Sequence, residues 1–227
     1  SIERLFIKMK ENGNVFLPKE DLMADFNWYM KNNREAFTPE AFRLKKAYGE
    51  KILPAYYDYY IDKWNKIIVA EKAIRNVTVQ NVPVNGKLDK LEFNGKFVNV
   101  VDYKTGKYEN AVKKLVRPNE KEPNGGDYWR QAVFYKILLD NDKTHDWKVI
   151  STEFDFIEPV GEEYKTELVE VTDSDITTVT QQIVTTWQKI QNREFKTGCG
   201  KPDCDWCNFV KGNHLAVALH PAEEEEP

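Results

Sequence analysis

Several features are missing from this chain of 227 residues, and each absence removes a class of function. No apolar run approaches the roughly 20 residues needed to cross a bilayer, and the N-terminus lacks the pattern of a secretory signal. The expectation is a soluble, cytoplasmic protein without a membrane partner. No G-x-x-x-x-G-K-[ST] phosphate loop occurs, so an ATP-driven motor would have to lie on another chain or on a part of the protein outside this one. Histidine is scarce, with three residues and none before His145. Cysteine is equally scarce, and all three copies fall within Cys199 to Cys207. An excess of basic residues is lacking too: 33 Lys and Arg face 37 Asp and Glu, a formal charge of -4, which counts against a nucleic-acid binder unless a local basic patch does the work. Part of that acidity sits in the tail Glu223 to Glu226.

What is present reads as one domain with a real core, since 41% of the residues are hydrophobic and 13% aromatic. The chain is organised around Gly86 to Gly106, GKLDKLEFNGKFVNVVDYKTG. Asn94-Gly95 between two alternating runs predicts a two-residue hairpin turn, because both turn positions favour φ > 0. That turn would set Phe93 against Lys96, Lys87 against Asp102 and Asp89 against Val100. Asp89 and Asp102 would then be diagonal neighbours, roughly 7–8 Å apart at the backbone. Lys104, two residues beyond Asp102, points to the same side. This face carries Leu91, Phe93, Val98 and Val100 near the turn and becomes charged at its open end.

Two carboxylates about 5 Å apart at an effective dielectric near 20 repel by about 3 kcal/mol, so folding tolerates them together with a cation or a shared proton. Hard oxygen ligands of this kind suit Mg²⁺ or Mn²⁺. The plainer reading is a cross-strand charge cluster on a solvated strand. The apolar half of the face argues that it is covered, where unpaired charge is expensive.

Around this hairpin the chain alternates helical and extended patterns. Ile2, Leu5, Phe6 and Met9, then Leu22, Phe26, Tyr29 and Met30, recur at helical spacing. Thr38-Pro39 is a helix start, and Pro54 should kink or restart the helix that follows. Tyr56, Tyr57, Tyr59, Tyr60 and Trp64 could stack on bases, although packing against the sheet is the better reading. Strands are expected at 67–74, 77–84, the hairpin, 147–157 and 163–171. A helix should cover 127–139, placing Gln131 and Tyr135 on one face, and another should follow Asp173 or Ser174 to about Asn192. The long polar connection 107–126 carries Lys107, Lys113, Lys114, Arg117 and Lys121 with interleaved glutamates. It is either a DNA-tracking loop or a solvated one. The expected fold is α/β (α+β): a mixed sheet flanked by helices, with a helical part over 1–66, a core over 67–196 and a Cys-containing segment with an acidic tail over 197–227.

G-K-L-D at 86–89, V-V-D-Y-K-T-G at 100–106 and W-R-Q-A-V-F-Y at 129–135 together resemble the RecB-like branch of the PD-(D/E)XK nucleases, over roughly residues 50–212. More narrowly, they are similar to the nuclease domain at the C-terminus of UvrD/Rep-type helicases and AddAB-like enzymes. The resemblance implies a restriction-endonuclease-like core and a Mg²⁺- or Mn²⁺-dependent DNA nuclease, most naturally an exonuclease in repair or recombination, with a helicase motor fused or partnered. It implies Asp89, Asp102 and the Tyr103 backbone carbonyl as metal ligands, Lys104 as the catalytic lysine, and Gln131 and Tyr135 as strand-positioning residues. Arg130 and Lys136, which flank that pair, and Lys107 on the connection would add phosphate contacts, and the resemblance implies a 5′-phosphate product. Glu71, ending the run IIVA, would assist the metal site or simply form a surface ion pair. The alternative is a non-catalytic module of the same fold that binds DNA or holds a helicase subunit, although Asp89, Asp102 and Lys104 are all retained. Hydrolysis of RNA or nucleotides by the same site is a third reading.

Two departures from that family stand out. Some RecB-like nucleases hold an iron–sulfur cluster on one early and three late cysteines; Cys199, Cys204 and Cys207 resemble the late three, but with no early cysteine a four-thiolate cluster cannot close. The three are then free thiols or, with His214, a Cys₃His zinc site. The family also usually carries a histidine on a helix ahead of the sheet. Ser1-Ile2-Glu3-Arg4 reads as the middle of such a helix, so the expectation is a fragment that begins just after that histidine.

Overall fold

The computed structural model describes residues 1–194 and 204–212. Cys199 and His214 lie outside them, so the expected Cys₃His site falls outside the described residues. Two compact units result, 1–179 and 180–227.

The first unit starts with three helices: α1 (Ile2–Glu11), α2 (Lys19–Asn32) and α3 (Pro39–Tyr60). The Thr38 hydroxyl accepts from the Ala41 amide at 3.2 Å, and Pro39 fills the first helical position, where a missing N–H costs nothing. Of the two outcomes expected at Pro54 the helix does not restart: α3 continues through it for another turn and a half. The tertiary packing of Leu53, Tyr56 and Tyr57 outweighs the one backbone hydrogen bond that proline removes.

Five strands follow: β1 (Ile68–Val79), β2 (Val82–Asn94), β3 (Phe97–Lys104), β4 (Lys148–Phe156) and β5 (Thr166–Val169). They form one sheet in sequence order, antiparallel except for the parallel pair β3 and β4. The sheet is therefore mixed, as expected, but its first hairpin differs from the sequence reading. In place of the strands expected at 67–74 and 77–84, β1 runs on from Ile68 to Val79 with a register shift between Ile74 and Val77, and residues 82–84 already belong to β2. The chain then turns at Gln80 and Asn81, whose φ angles of 45° and 67° match a two-residue turn with both central positions left-handed.

The second hairpin also needs correction. Asn94 pairs with Phe97 and Phe93 with Val98, so the turn is Gly95-Lys96, with φ of +61° at Gly95 alone. A glycine first in the loop favours the turn class with one left-handed position over the Asn-Gly class. Each partner moves by two residues, which keeps every side chain on its expected face. Lys90 pairs with Val101, and one further step sets Asp89 directly across from Asp102 instead of diagonal to it.

Between β3 and β4 the chain forms α4 (Tyr108–Val112) and α5 (Asp127–Asp140). One sheet face packs on α1 and α3, through Ile2, Leu5, Phe6, Met9, Leu53, Tyr56, Tyr57, Trp64 and Ile68. Tyr56, Tyr57 and Trp64 are buried there and Tyr60 partly so, as the packing reading requires, whereas Tyr59 is exposed. The α5 side holds Ala132 against Phe154 and Phe156. Covering both faces explains why Leu88, Leu91, Val98 and Val100 are fully buried. Helix α6 (Asp173–Gln191) contains the boundary between the units, and α7 (Asp205–Gly212) lies in the second unit, with Cys204 and Cys207 half-buried. No described helix is long and apolar enough to cross a membrane.

Candidate active site

Asp89, Asp102, Lys104, Gln131 and Tyr135 converge where β2, β3 and α5 meet. The alternation of β3 sends Asp102 and Lys104 to the α5 side and the Tyr103 ring to the other, where it packs among the helices. Helical spacing sets Gln131 and Tyr135 one turn apart on the facing side of α5. Gly86 lets these elements approach: a Cβ there would lie 2.7 Å from the Leu138 side chain of α5. The glycine of G-K-L-D is thus a packing requirement beneath the site.

Asp102 is the hub and is 4% exposed. Its Oδ1 accepts from the Tyr135 hydroxyl at 2.6 Å and from Gln131 Nε2 at 2.9 Å. Its Oδ2 pairs with Lys104 Nζ at 2.8 Å. Lys104 also donates to Gln131 Oε1 at 2.7 Å, so the glutamine amide joins the acid to the base of the strand. Burial and the nearby Asp102 carboxylate push the Tyr135 hydroxyl up, keeping it a neutral donor.

Asp89 accepts the Tyr103 amide on Oδ2 at 3.1 Å. Its carboxyl is pushed up to about 6, first by burial and then by the like charge of Asp102; the Tyr103 amide opposes this, Glu3 of α1 adds to it, and Lys104 opposes it. Two acids across from each other on adjacent strands, one of them costly to ionise, match the donor chemistry of a hard divalent cation. Among the described residues no group of three or more His, Cys, Asp or Glu side chains is placed to hold an ion, and Asp89 with Asp102 makes a pair.

Glu71 does not join them. It lies on β1 with φ of +51°, and its exposed carboxylate pairs with Lys87 at 3.1 Å, which is the surface ion pair that the sequence left open. Arg130 turns back on its own helix start, donating to the Asn124 and Gly125 carbonyls and the Asp127 carboxylate. Lys107 precedes α4 and is exposed, with no ion pair among the described residues. The sequence reading missed Glu3, which α1 brings to the acidic pair, and Tyr128, whose ring centroid lies 4.3 Å from Lys104 Nζ. Tyr128 precedes Gln131 by three residues, so the helical period already placed it on the same face. Glu3 carried no such signal.

A family model described as the PD-(D/E)XK nuclease superfamily matches residues 16–211. The chain belongs to the PD-(D/E)XK nuclease superfamily. Its mixed five-stranded sheet between helices, with a helical N-terminal part, is consistent with the restriction-endonuclease-like fold of that superfamily. Among solved structures, the chain is similar to one from Eubacterium rectale described as "Putative exonuclease", at 14% identity and a TM-score of 0.45, covering 88% of this chain and 78% of that one. It is also similar to SSO0001, at 14% identity and a TM-score of 0.41, covering 97% of each chain. No curated protein matches it.

Proposed function

We propose that this chain is the Mg²⁺- or Mn²⁺-dependent DNA nuclease domain of a RecB-like helicase–nuclease, acting as an exonuclease in repair or recombination on strands delivered by a fused or partner UvrD/Rep-type motor. The observation that carries this reading is the buried Asp102 carboxylate shared by Gln131, Tyr135 and Lys104 beside a second acid, Asp89. A structural ion pair would need neither the second acid nor three donors on one carboxylate. Asp89, Asp102 and the Tyr103 carbonyl would hold the cation, which when bound polarises a phosphate and lowers the pKa of a water.

The side chains supply the rest. Gln131 and Tyr135 fix the orientation of Asp102, the outer-shell role that ligating carboxylates require. Lys104 starts on Asp102 and Gln131, within reach of the same pocket. Turned toward a phosphate, it would stabilise the developing negative charge or orient the attacking water. Hydrolysis adds water across one P–O3′ bond, leaving a 5′-phosphate and a 3′-hydroxyl. Burial of Asp102 keeps bulk solvent from competing for its oxygens.

The test is cleavage of end-labelled linear DNA with Mg²⁺ or Mn²⁺ by the wild-type chain and Asp102→Ala, with an RNA of the same sequence alongside. Metal-dependent products that vanish in Asp102→Ala support the reading, and RNA products alone redirect it. A wild-type chain that binds DNA and never cuts it would make the non-catalytic module the better account.

A further inference from the structure

The connection after the active-site strand is not the loose loop its composition suggests. The Lys114 carbonyl accepts from the Tyr128 and Trp129 amides at 3.0 and 3.1 Å, closing the first turn of α5. Gly126 is required for that approach, since a Cβ there would lie 2.2 Å from the same oxygen. Further along, Arg117 clamps Asp175 through two hydrogen bonds of 2.8 and 2.9 Å, and Trp129 Nε1 donates to the same carboxylate. The backbone of residue 114 is therefore anchored on the helix that carries Gln131 and Tyr135.

This anchoring aims one cation at the site. Lys114 Nζ sits 5.1 Å from the centroid of the Tyr128 ring, and Lys104 Nζ sits 4.3 Å from the same centroid. The Tyr128 ring in turn stacks on Phe154 of β4, at 5.2 Å and 28°. Lys104 belongs to the Asp102 cluster, whereas Lys114 is exposed and has no ion pair among the described residues. The same holds for Lys107 and Lys113, while Arg117 and Arg130 are held by protein oxygens. Two ammonium groups that share one ring are no further apart than the sum of those two distances. A strand that crosses this ring can set one phosphate on each ammonium, since its charges recur at every nucleotide.

We propose that Lys114 and the ring of Tyr128 form a backbone subsite for the phosphate flanking the scissile one on a single DNA strand. The inference rests on the nuclease reading above and adds where the strand runs: from Lys104 across Tyr128 toward α4, where Lys113 and Lys107 continue the path. Arg130, expected from the sequence to contact phosphate, has no part in this subsite. Lys114 neutralises a phosphate, and Tyr128 holds the lysine chain over its ring so that less side-chain freedom is lost on binding.

The experiment measures binding of a fluorescent single-stranded oligonucleotide at several salt concentrations, together with KM and kcat for cleavage, for wild type, Lys114→Ala, Tyr128→Leu, Tyr128→Phe and Lys121→Ala. Counterion release predicts that Lys114→Ala flattens the plot of log K against log salt by about 0.7 per lost contact and raises KM with little change in kcat. Lys121, exposed on the same connection, should change neither. Tyr128→Leu should weaken binding in the same direction, and Tyr128→Phe, which keeps the ring face, should restore it. Wild-type cleavage with an unchanged salt slope in Lys114→Ala overturns this subsite and leaves the nuclease reading intact. A wild-type chain that neither binds nor cuts DNA overturns both.

Discussion

Replacing Asp89 by asparagine should make the metal-free protein more stable while removing its response to metal. In the folded chain the Asp89 carboxyl is raised from 3.8 to about 6 by burial and by Asp102. A raised acid means that the folded state holds this proton over a pH range in which the unfolded state has released it. Stability therefore falls as pH climbs from about 4 to about 6, and the full penalty persists above that. Two pKa units at about 1.4 kcal/mol each set a ceiling near 3 kcal/mol; the side chain keeps some solvent, so screening reduces this to about 1–2 kcal/mol. Asparagine keeps an oxygen for the Tyr103 amide, which Asp89 accepts at 3.1 Å, and turns a donor toward Asp102 in place of a like charge. Urea unfolding without metal should show Asp89→Asn ahead of wild type by that amount at pH 8 and level with it at pH 4. At a cation concentration of about 100 Kd, wild type should gain about 2.7 kcal/mol and the variant almost nothing. A variant less stable than wild type at pH 8, or one with the same advantage at both pH values, would refute the electrostatic account of this pocket.

Other perturbations probe the supports of the site. Tyr135→Phe removes the hydroxyl that donates to Asp102 Oδ1 at 2.6 Å; a loss of about 10–100-fold in metal affinity or cleavage rate is expected, read by metal titration. Gly86→Ala drives a methyl against Leu138, so about 1–3 kcal/mol of stability should be lost in denaturant unfolding, and cleavage should fall as α5 shifts off β2. Arg117→Ala strips the buried Asp175 carboxylate of its guanidinium partner, at a cost of about 1–3 kcal/mol. Asp175 is held down to about 2 by hydrogen bonds that outweigh its burial, the Arg117 bond first. Its contribution is present above about 4 and is lost as pH falls toward 2. In Arg117→Ala that acid limb should move to higher pH, which a pH series of thermal unfolding would show.

The parts of the site that a sequence can announce are those fixed by short-range periodicity. The period of two put Asp102 and Lys104 on one face, and the period of 3.6 put Gln131 and Tyr135 on another, with nothing further needed to know that each pair points one way. Even the wrong turn left the face intact, because moving the loop from Asn94-Gly95 to Gly95-Lys96 shifts each partner by two positions. The error cost only the distance between Asp89 and Asp102. The Gln80-Asn81 turn was illegible for a different reason: glutamine is a poor marker of a left-handed φ, and the packed hairpin imposes it there. Glu3 and the Arg117–Asp175 clamp were illegible because they arise from contacts between elements far apart in the chain, 58 positions in the case of the clamp, which no local pattern encodes.

Net charge alone does not decide whether a phosphate can bind. A net charge of -4 sums every carboxylate and every cation, including those already spent inside the protein. Asp175 is spent on Arg117, Glu71 on Lys87, Asp25 on Lys8 and Asp140 on Lys136. What a phosphate meets is the local remainder, and beside Lys104 that includes Lys114, which shares the Tyr128 ring with it. Screening at physiological ionic strength confines the field of distant charges to about 8 Å, so a lysine at the proposed site acts almost independently of acids elsewhere in the chain. Affinity should accordingly be modest, with a salt slope of only about 0.7 for each lysine that meets a phosphate, because few contacts share the load. A salt slope near zero in wild type would mean that the strand is held mainly by stacking on exposed rings, and the lysines of the connection would then be solubilising charge only.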